Sequence, residues 1–129
     1  MKTILLVDDD FALVEDLTEL LQDEGYRVVT AANGKEGLAR LEKELPDLVI
    51  TDLMMPVADG RQLLRGMRAL PNLAATPTIM ISSSDRTVAL SDGIETLPVS
   101  AYIRKPFQWD KLLATIVQAL GRGRTGQSS

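Results

Sequence analysis

Four short apolar runs constrain this chain more than any other feature: Ile4 to Val7, Leu48 to Ile50, Ile79 to Ile81, and the shorter pair Tyr102-Ile103. Each is of strand length and apolar at consecutive positions, so both faces of the strand need cover, as in the interior of a parallel sheet. Tyr26-Arg27-Val28-Val29-Thr30 makes a fifth, less central strand. Between the runs the apolar period becomes that of a helix. Leu13, Val14, Leu17, Leu20 and Leu21 share one stripe ahead of Gly25, a helix-ending glycine. Leu38, Leu41 and Leu45 mark a second helix ending before Pro46, and Leu63, Leu64, Met67 and Leu70 a third ending before Pro71. Trp109, Leu112, Leu113, Ile116, Val117 and Leu120 repeat every three or four residues, with Gly121 as the natural stop. Strand and helix alternate, which predicts a doubly wound α/β domain with right-handed crossovers and helices on both faces.

At 129 residues the chain is long enough for one domain with a full hydrophobic core, burying roughly two-thirds of its unfolded surface. The domain is expected over residues 1–121. Residues 122–129, without an apolar side chain, are expected to form a disordered tail or the start of a linker. Gly121, Gly123 and Gly126 match the spacing of a dinucleotide loop, but here the glycines leave a helix and open none. The chain has no Cys and no His. That removes thiolate catalysis, cysteine-based metal sites, imidazole ligands and Ser-His-Asp hydrolysis, leaving carboxylates, hydroxyls, Lys and Arg. With 14 Lys+Arg against 18 Asp+Glu the net charge is −4, which argues against a nucleic-acid surface. The first apolar run stops at Asp8, too short for a signal peptide, and no run approaches the roughly 20 residues of a membrane span. A cytoplasmic, soluble protein without membrane or direct nucleic-acid partners is expected.

Ligands of doubly wound folds sit outside the carboxyl ends of the strands. The first strand ends in Asp8-Asp9-Asp10, three carboxylates whose mutual repulsion and desolvation call for a hard cation. The third ends in Thr51-Asp52, and since the first and third strands are expected to be neighbours, a fourth carboxylate joins the cluster. The fourth ends in Ser82, a hydroxyl donor, and the fifth in Arg104-Lys105-Pro106, which brings an ammonium to the same rim. Taken alone each has a bland reading: a solvated acidic turn, a turn Asp, a capping Ser and a solvated Lys. Together they form an apparatus for a phosphoryl group, with a cation site, a carboxylate able to accept the group as an acyl phosphate, a hydroxyl and a lysine.

These motifs resemble the receiver domains of two-component response regulators. The resemblance runs from about Lys2 to Leu120. It rests on Ile-Leu-Leu-Val-Asp8-Asp9-Asp10, Asp47-Leu-Val-Ile-Thr-Asp52-Leu-Met-Met-Pro56 with Asp59-Gly60 following, Pro77-Thr-Ile-Met-Ile-Ser82, and Tyr102-Ile-Arg-Lys105-Pro106-Phe107, in that order. It implies a flavodoxin-like sheet in the order 2-1-3-4-5, with Asp52 as phosphoacceptor. Asp8, Asp9, Asp52 and the backbone carbonyl of Met54 would hold Mg²⁺, with Mn²⁺ as an alternative. It further implies that Ser82 contacts the phosphoryl group, that Lys105 pairs with a phosphoryl oxygen and precedes a cis bond to Pro106, and that Tyr102 is the aromatic whose rotamer follows Ser82. Asp10 is read as a solvated neighbour, and Met55-Pro56 and Asp59-Gly60 as shaping the loop over the site.

By the same resemblance, the donor is a sensor histidine kinase, a phosphotransfer protein or acetyl phosphate. The chain catalyses only its own phosphorylation and dephosphorylation, and the added charge shifts a two-state equilibrium. Output would pass to a downstream protein or a homodimer through the family's fourth helix, fifth strand and fifth helix. One stretch departs from the family: Gly93 interrupts the helical pattern after Ser84, and Pro98-Val99-Ser100-Ala101 leads into the last strand. The alternative is a receiver-like interaction module that is never phosphorylated. A haloacid-dehalogenase-type enzyme, suggested by Asp8-x-Asp10, is disfavoured by the short chain and by Phe11-Ala12 after the motif. A flavin carrier is disfavoured because the acidic triplet would repel a flavin phosphate.

Overall fold

The computed structural model describes residues 1–55, 57–83 and 99–123. Its elements run β1 (Thr3–Val7), α1 (Phe11–Asp23), β2 (Arg27–Ala31), α2 (Gly34–Glu44), β3 (Leu48–Asp52), α3 (Gly60–Arg68), β4 (Thr78–Ser82), β5 (Ala101–Arg104) and α4 (Trp109–Gly123). The five strands form one sheet in the order β2-β1-β3-β4-β5, and every neighbouring pair is parallel. The doubly wound architecture and the strand order expected from the sequence are both present.

Consecutive apolar residues in the central strands divide the core in two, because successive side chains leave opposite faces of a strand. Ile4, Leu6, Ile50, Ile79 and Ile81 pack with Leu17 and Leu21 of α1 and Leu112 and Ile116 of α4. Leu5, Val7, Val49 and Met80 pack on the other face with Leu41 of α2 and Leu63, Leu64 and Met67 of α3. Full burial of each such side chain stabilises by about 1.5–3 kcal/mol, so the middle of the sheet is the rigid frame from which the strand ends project.

The helix boundaries show local chemistry. α1 stops where Gly25 takes φ 93, a left-handed conformation that glycine adopts without a side-chain clash. α2 ends at Glu44, with Leu45 as its left-handed cap ahead of Pro46. α3 ends at Arg68, two residues before the expected Leu70. Pro71 disfavours helical backbone at the residue before it, and Leu70 instead donates its N–H to the Met67 carbonyl in a turn. Arg68 then holds the following segment, its Nη1 donating to the carbonyls of Ala74 (2.8 Å) and Thr76 (2.9 Å).

The last helix corrects the sequence reading at its other end. Gly121 does not stop α4, which continues through Arg122 to Gly123, two residues into the expected tail. Glycine permits a helix to end but does not compel it, and the backbone of Gly121 has no positive φ. The expectations for Gly93 and Pro98, and for the tail from 124 onward, fall outside the described residues. Among the described residues no helix is long and apolar enough to cross a membrane.

Candidate functional site

Register brings the acidic residues together. Val7 of β1 lies opposite Thr51 of β3, so the next residues, Asp8 and Asp52, leave adjacent strands side by side. One carboxylate oxygen from each of Asp8, Asp9 and Asp52 lies within 4.8 Å of the others. Asp8 and Asp52 are buried, and Asp9 faces solvent.

Asp8 is held at both carboxylate oxygens. Its Oδ1 accepts the backbone N–H of Asp10 (2.9 Å), and its Oδ2 accepts Lys105 Nζ (3.0 Å). Its own N–H donates to the Ala31 carbonyl at the end of β2 (3.1 Å). Asp10 is exposed, as expected, but has a second role: it caps α1, its side chain accepting the Leu13 N–H at 3.2 Å. The signal for this was present in an Asp just ahead of a helical stripe, the preferred N-cap chemistry.

Lys105 follows β5 and donates its backbone N–H to the Ser82 carbonyl (2.7 Å), tying the ends of β5 and β4 together. Its Nζ lies 3.5 Å from Asp52 Oδ2 as well as 3.0 Å from Asp8. The peptide bond from Lys105 to Pro106 is cis. Burial opposes the charge on Lys105, but the hydrogen bond and charge of Asp8 and the charge of Asp52 outweigh it and raise its pKa above the usual lysine value.

Asp52 shows the opposite balance. Burial and the nearby charge of Asp8 push its pKa up from 3.8 to about 6, against the pull of Lys105. It remains predominantly ionised at neutral pH, as a desolvated and hence more basic carboxylate. The backbone following it is closely packed. The Leu53 N–H donates to the Ile81 carbonyl (2.8 Å), and the Gly60 N–H to the Leu53 carbonyl (2.9 Å). A Cβ at Gly60 would lie 2.5 Å from the Asp52 carbonyl oxygen, so only glycine fits there. Asp59 caps α3 in a reciprocal box with Gln62.

The remaining predicted residues surround this centre. Ser82 is fully buried at the end of β4, paired in register with Arg104. Met54, two residues past Asp52, exposes about half its side chain at the rim. Tyr102 pairs in register with Met80 and packs, partly buried, on the α2/α3 side of the core. A cavity of about 520 Å³ beside it is lined also by Phe107 and Lys111. A donor set of carboxylate oxygens alone fits a hard divalent cation such as Mg²⁺, and the exposure of Asp9 leaves one side of the cluster open to water.

The family model for the response regulator receiver domain matches residues 4–117, and the chain belongs to that family. The transcriptional regulatory protein AfsQ1 of Streptomyces coelicolor is 35% identical over 95% of this chain and 53% of its own length. The chain spans about half the length of the transcriptional regulators it matches. Among solved structures, the chemotaxis protein CheY4 of Vibrio cholerae has a TM-score of 0.85 at 31% identity, over 92% of this chain and 98% of that one. The receiver domain of sensor histidine kinase PA1611 from Pseudomonas aeruginosa, solved with a magnesium ion coordinated in its active site cleft, has a TM-score of 0.82. It is 28% identical over 93% of this chain and 98% of that chain. The protein is therefore a receiver domain of the two-component response-regulator kind.

Proposed function

We propose that this receiver domain accepts a phosphoryl group on Asp52 and that the modification switches its output surface. The observation that carries the proposal is the placement of Lys105 Nζ 3.5 Å from the buried Asp52 carboxylate, with Asp8 and Asp9 grouped beside it. One cation and one candidate metal subsite thus flank a single raised-pKa nucleophile.

In the proposed reaction a carboxylate oxygen of Asp52 attacks the phosphorus of a donor, and the bond from phosphorus to the donor's leaving atom breaks with its electron pair. The donor is a phosphohistidine on a sensor histidine kinase or phosphotransfer protein, or a small acyl phosphate such as acetyl phosphate. Asp52 must be ionised to attack, and its pKa of about 6 allows that at neutral pH. Lys105 neutralises charge on the transferring group, and the Ser82 hydroxyl donates a hydrogen bond to it. Asp8, Asp9, Asp52 and the Met54 carbonyl would hold Mg²⁺, which when bound supplies positive charge against the phosphoryl oxygens. Capture of the new charge by Ser82, followed by Tyr102, would bias the domain toward its output state. Water then cleaves the acyl phosphate and resets the domain, so the chain acts only on itself.

The output partner is a downstream protein or a second copy, engaged through β5, α4 and the segment preceding β5, in the cytoplasm. Intact mass after incubation with acetyl phosphate and Mg²⁺ tests this reading. A single metal-dependent phosphoryl adduct, absent in Asp52→Asn and after chelation, is expected. A folded, metal-binding protein that never gains an adduct would instead be the non-phosphorylated interaction module.

A further inference from the structure

Met80, in the middle of β4 and fully buried, has a neighbour of functional interest on each side. In register it lies opposite Thr51 of β3, the residue before Asp52, and opposite Tyr102 of β5. Register partners on adjacent strands send their side chains to the same face of the sheet, about 5 Å apart. Met80 and Tyr102 accordingly share the core on the α2/α3 side.

The Met80 side chain also reaches the backbone behind Asp52. A Cβ at Gly60, the first residue of α3, would lie 2.9 Å from Met80 Sδ and 2.5 Å from the Asp52 carbonyl oxygen. Gly60 is thus clasped between the sulfur and the phosphoacceptor's own carbonyl. Its N–H donates to the Leu53 carbonyl (2.9 Å), and the Leu53 N–H donates to the carbonyl of Ile81, the residue after Met80 (2.8 Å). Sulfur, glycine and the Asp52-Leu53 backbone form one stack with no room for a side chain between them. Interiors packed at this density transmit a displacement to their neighbours. The reach of the side chain at position 80 therefore sets how closely Gly60 is held against Asp52. A thioether suits the place, because it is long, unbranched and makes favourable contacts with aromatic rings.

We propose that Met80 is a positioning residue that couples the backbone behind Asp52 to Tyr102, so that the placement of one biases the placement of the other. This rests on the phosphoacceptor reading above and adds to it a contact between Asp52 and Tyr102 that does not run through Ser82. Coupling of this kind is a free energy and acts in both directions, so loss of the Tyr102 ring must be felt at Asp52.

A double-mutant cycle measures the coupling. Tyr102→Ala removes the ring. Met80→Val keeps a strand-forming side chain that ends short of the sulfur's position, and Met80→Leu, close to methionine in volume, restores the reach. Each full-length protein is assayed for thermal midpoint, for its rate of adduct formation with acetyl phosphate, and for Mg²⁺ affinity by calorimetry. With Met80 in place, Tyr102→Ala is expected to slow adduct formation by about threefold, because the methionine loses its neighbour and Gly60 its backing. In the Met80→Val background the same substitution is expected to change the rate by less than about 1.5-fold, and in the Met80→Leu background the threefold effect returns. The proposal is overturned if Tyr102→Ala slows the reaction equally in all three backgrounds, or in none. A methionine that only fills the core would lower the midpoint in Met80→Val and leave the effect of Tyr102→Ala the same in every background. Failure of the parent protein to form an adduct would count against the phosphoacceptor reading. The cycle is then read in Mg²⁺ affinity, since Asp52 belongs to the carboxylate cluster, and additive effects there overturn the coupling.

Discussion

Lys105 Nζ sits nearer to Asp8 than to Asp52, 3.0 Å against 3.5 Å, across 97 positions of sequence. The lysine is thus engaged first by the most buried carboxylate of the cluster, and Asp52 receives only part of its charge. Burial and the charge of Asp8 therefore outweigh the pull of Lys105 and keep the Asp52 pKa raised with an ammonium beside it. The same geometry also leaves Asp52 less tied than Asp8, as suits the proposed phosphoacceptor.

Replacing Asp52 with Asn should stabilise the metal-free protein at neutral pH and leave it unchanged in acid. The folded-state pKa of about 6 lies above the ordinary 3.8, so the folded protein holds this proton more firmly, and stability is lost as pH rises through that window. About two units at about 1.4 kcal/mol each set an upper limit near 3 kcal/mol, which water reaching the open cleft reduces to about 1–2 kcal/mol. Urea melts of both proteins should coincide below pH 4 and separate by that amount above about pH 6.5.

Lys105→Met should act in the opposite direction. Asp8 loses its charge partner while staying buried, and a loss of about 1–3 kcal/mol is expected at pH 7 without metal. The raised pKa of Lys105 means that its contribution is fully present at neutral pH and disappears only in strong base. Without the lysine the Asp52 pKa rises further, so the pH profile of phosphorylation by acetyl phosphate should move to higher pH.

Mg²⁺ should stabilise the fold, and so raise its thermal midpoint, by an amount that grows with the logarithm of its concentration and reaches about 2.7 kcal/mol at a hundredfold excess over the dissociation constant. The cation needs ionised carboxylates, so this gain should shrink as pH falls below about 6, where Asp52 takes up a proton. Asp9→Asn should remove most of the gain while changing metal-free stability by only about 0.5 kcal/mol, because Asp9 is exposed.

Two glycine substitutions should diverge. Gly60→Ala drives a Cβ to 2.5 Å from the Asp52 carbonyl oxygen and 2.9 Å from Met80 Sδ, and a loss of about 1–3 kcal/mol or more is expected. Gly121→Ala meets nothing within 4 Å inside a helix and should stabilise by about 0.5–1 kcal/mol. Denaturant midpoints of the two variants measure both directly.

Much of this was legible from residue order. Runs such as Ile4 to Val7 and Ile79 to Ile81 are apolar on both faces, as in the interior of a parallel sheet, so strand identity and the convergence of Asp8 and Asp52 at neighbouring strand ends followed, while the full strand order came from the resemblance to receiver domains. What stayed hidden depended on local geometry. Gly121 carries no mark that distinguishes a helix end from a tolerated helix interior. α3 stops early because of a proline beyond it and an arginine that gathers three-dimensionally adjacent carbonyls. The left-handed turn at Val57 (φ 72) had no signal at all, since a valine argues against it. Asp10 was classed by its charge, whereas its place before Phe11 made it a cap.

The most direct measurement is to map the phosphorylated residue. The acetyl-phosphate-treated protein is reduced with borohydride, which converts an aspartyl phosphate to homoserine, then digested and sequenced by mass spectrometry. Conversion at position 52 alone, dependent on Mg²⁺, is the predicted result. Conversion at Asp8 or Asp9 with Asp52 unchanged would contradict it, because the nucleophile would then lie on β1's end of the cluster.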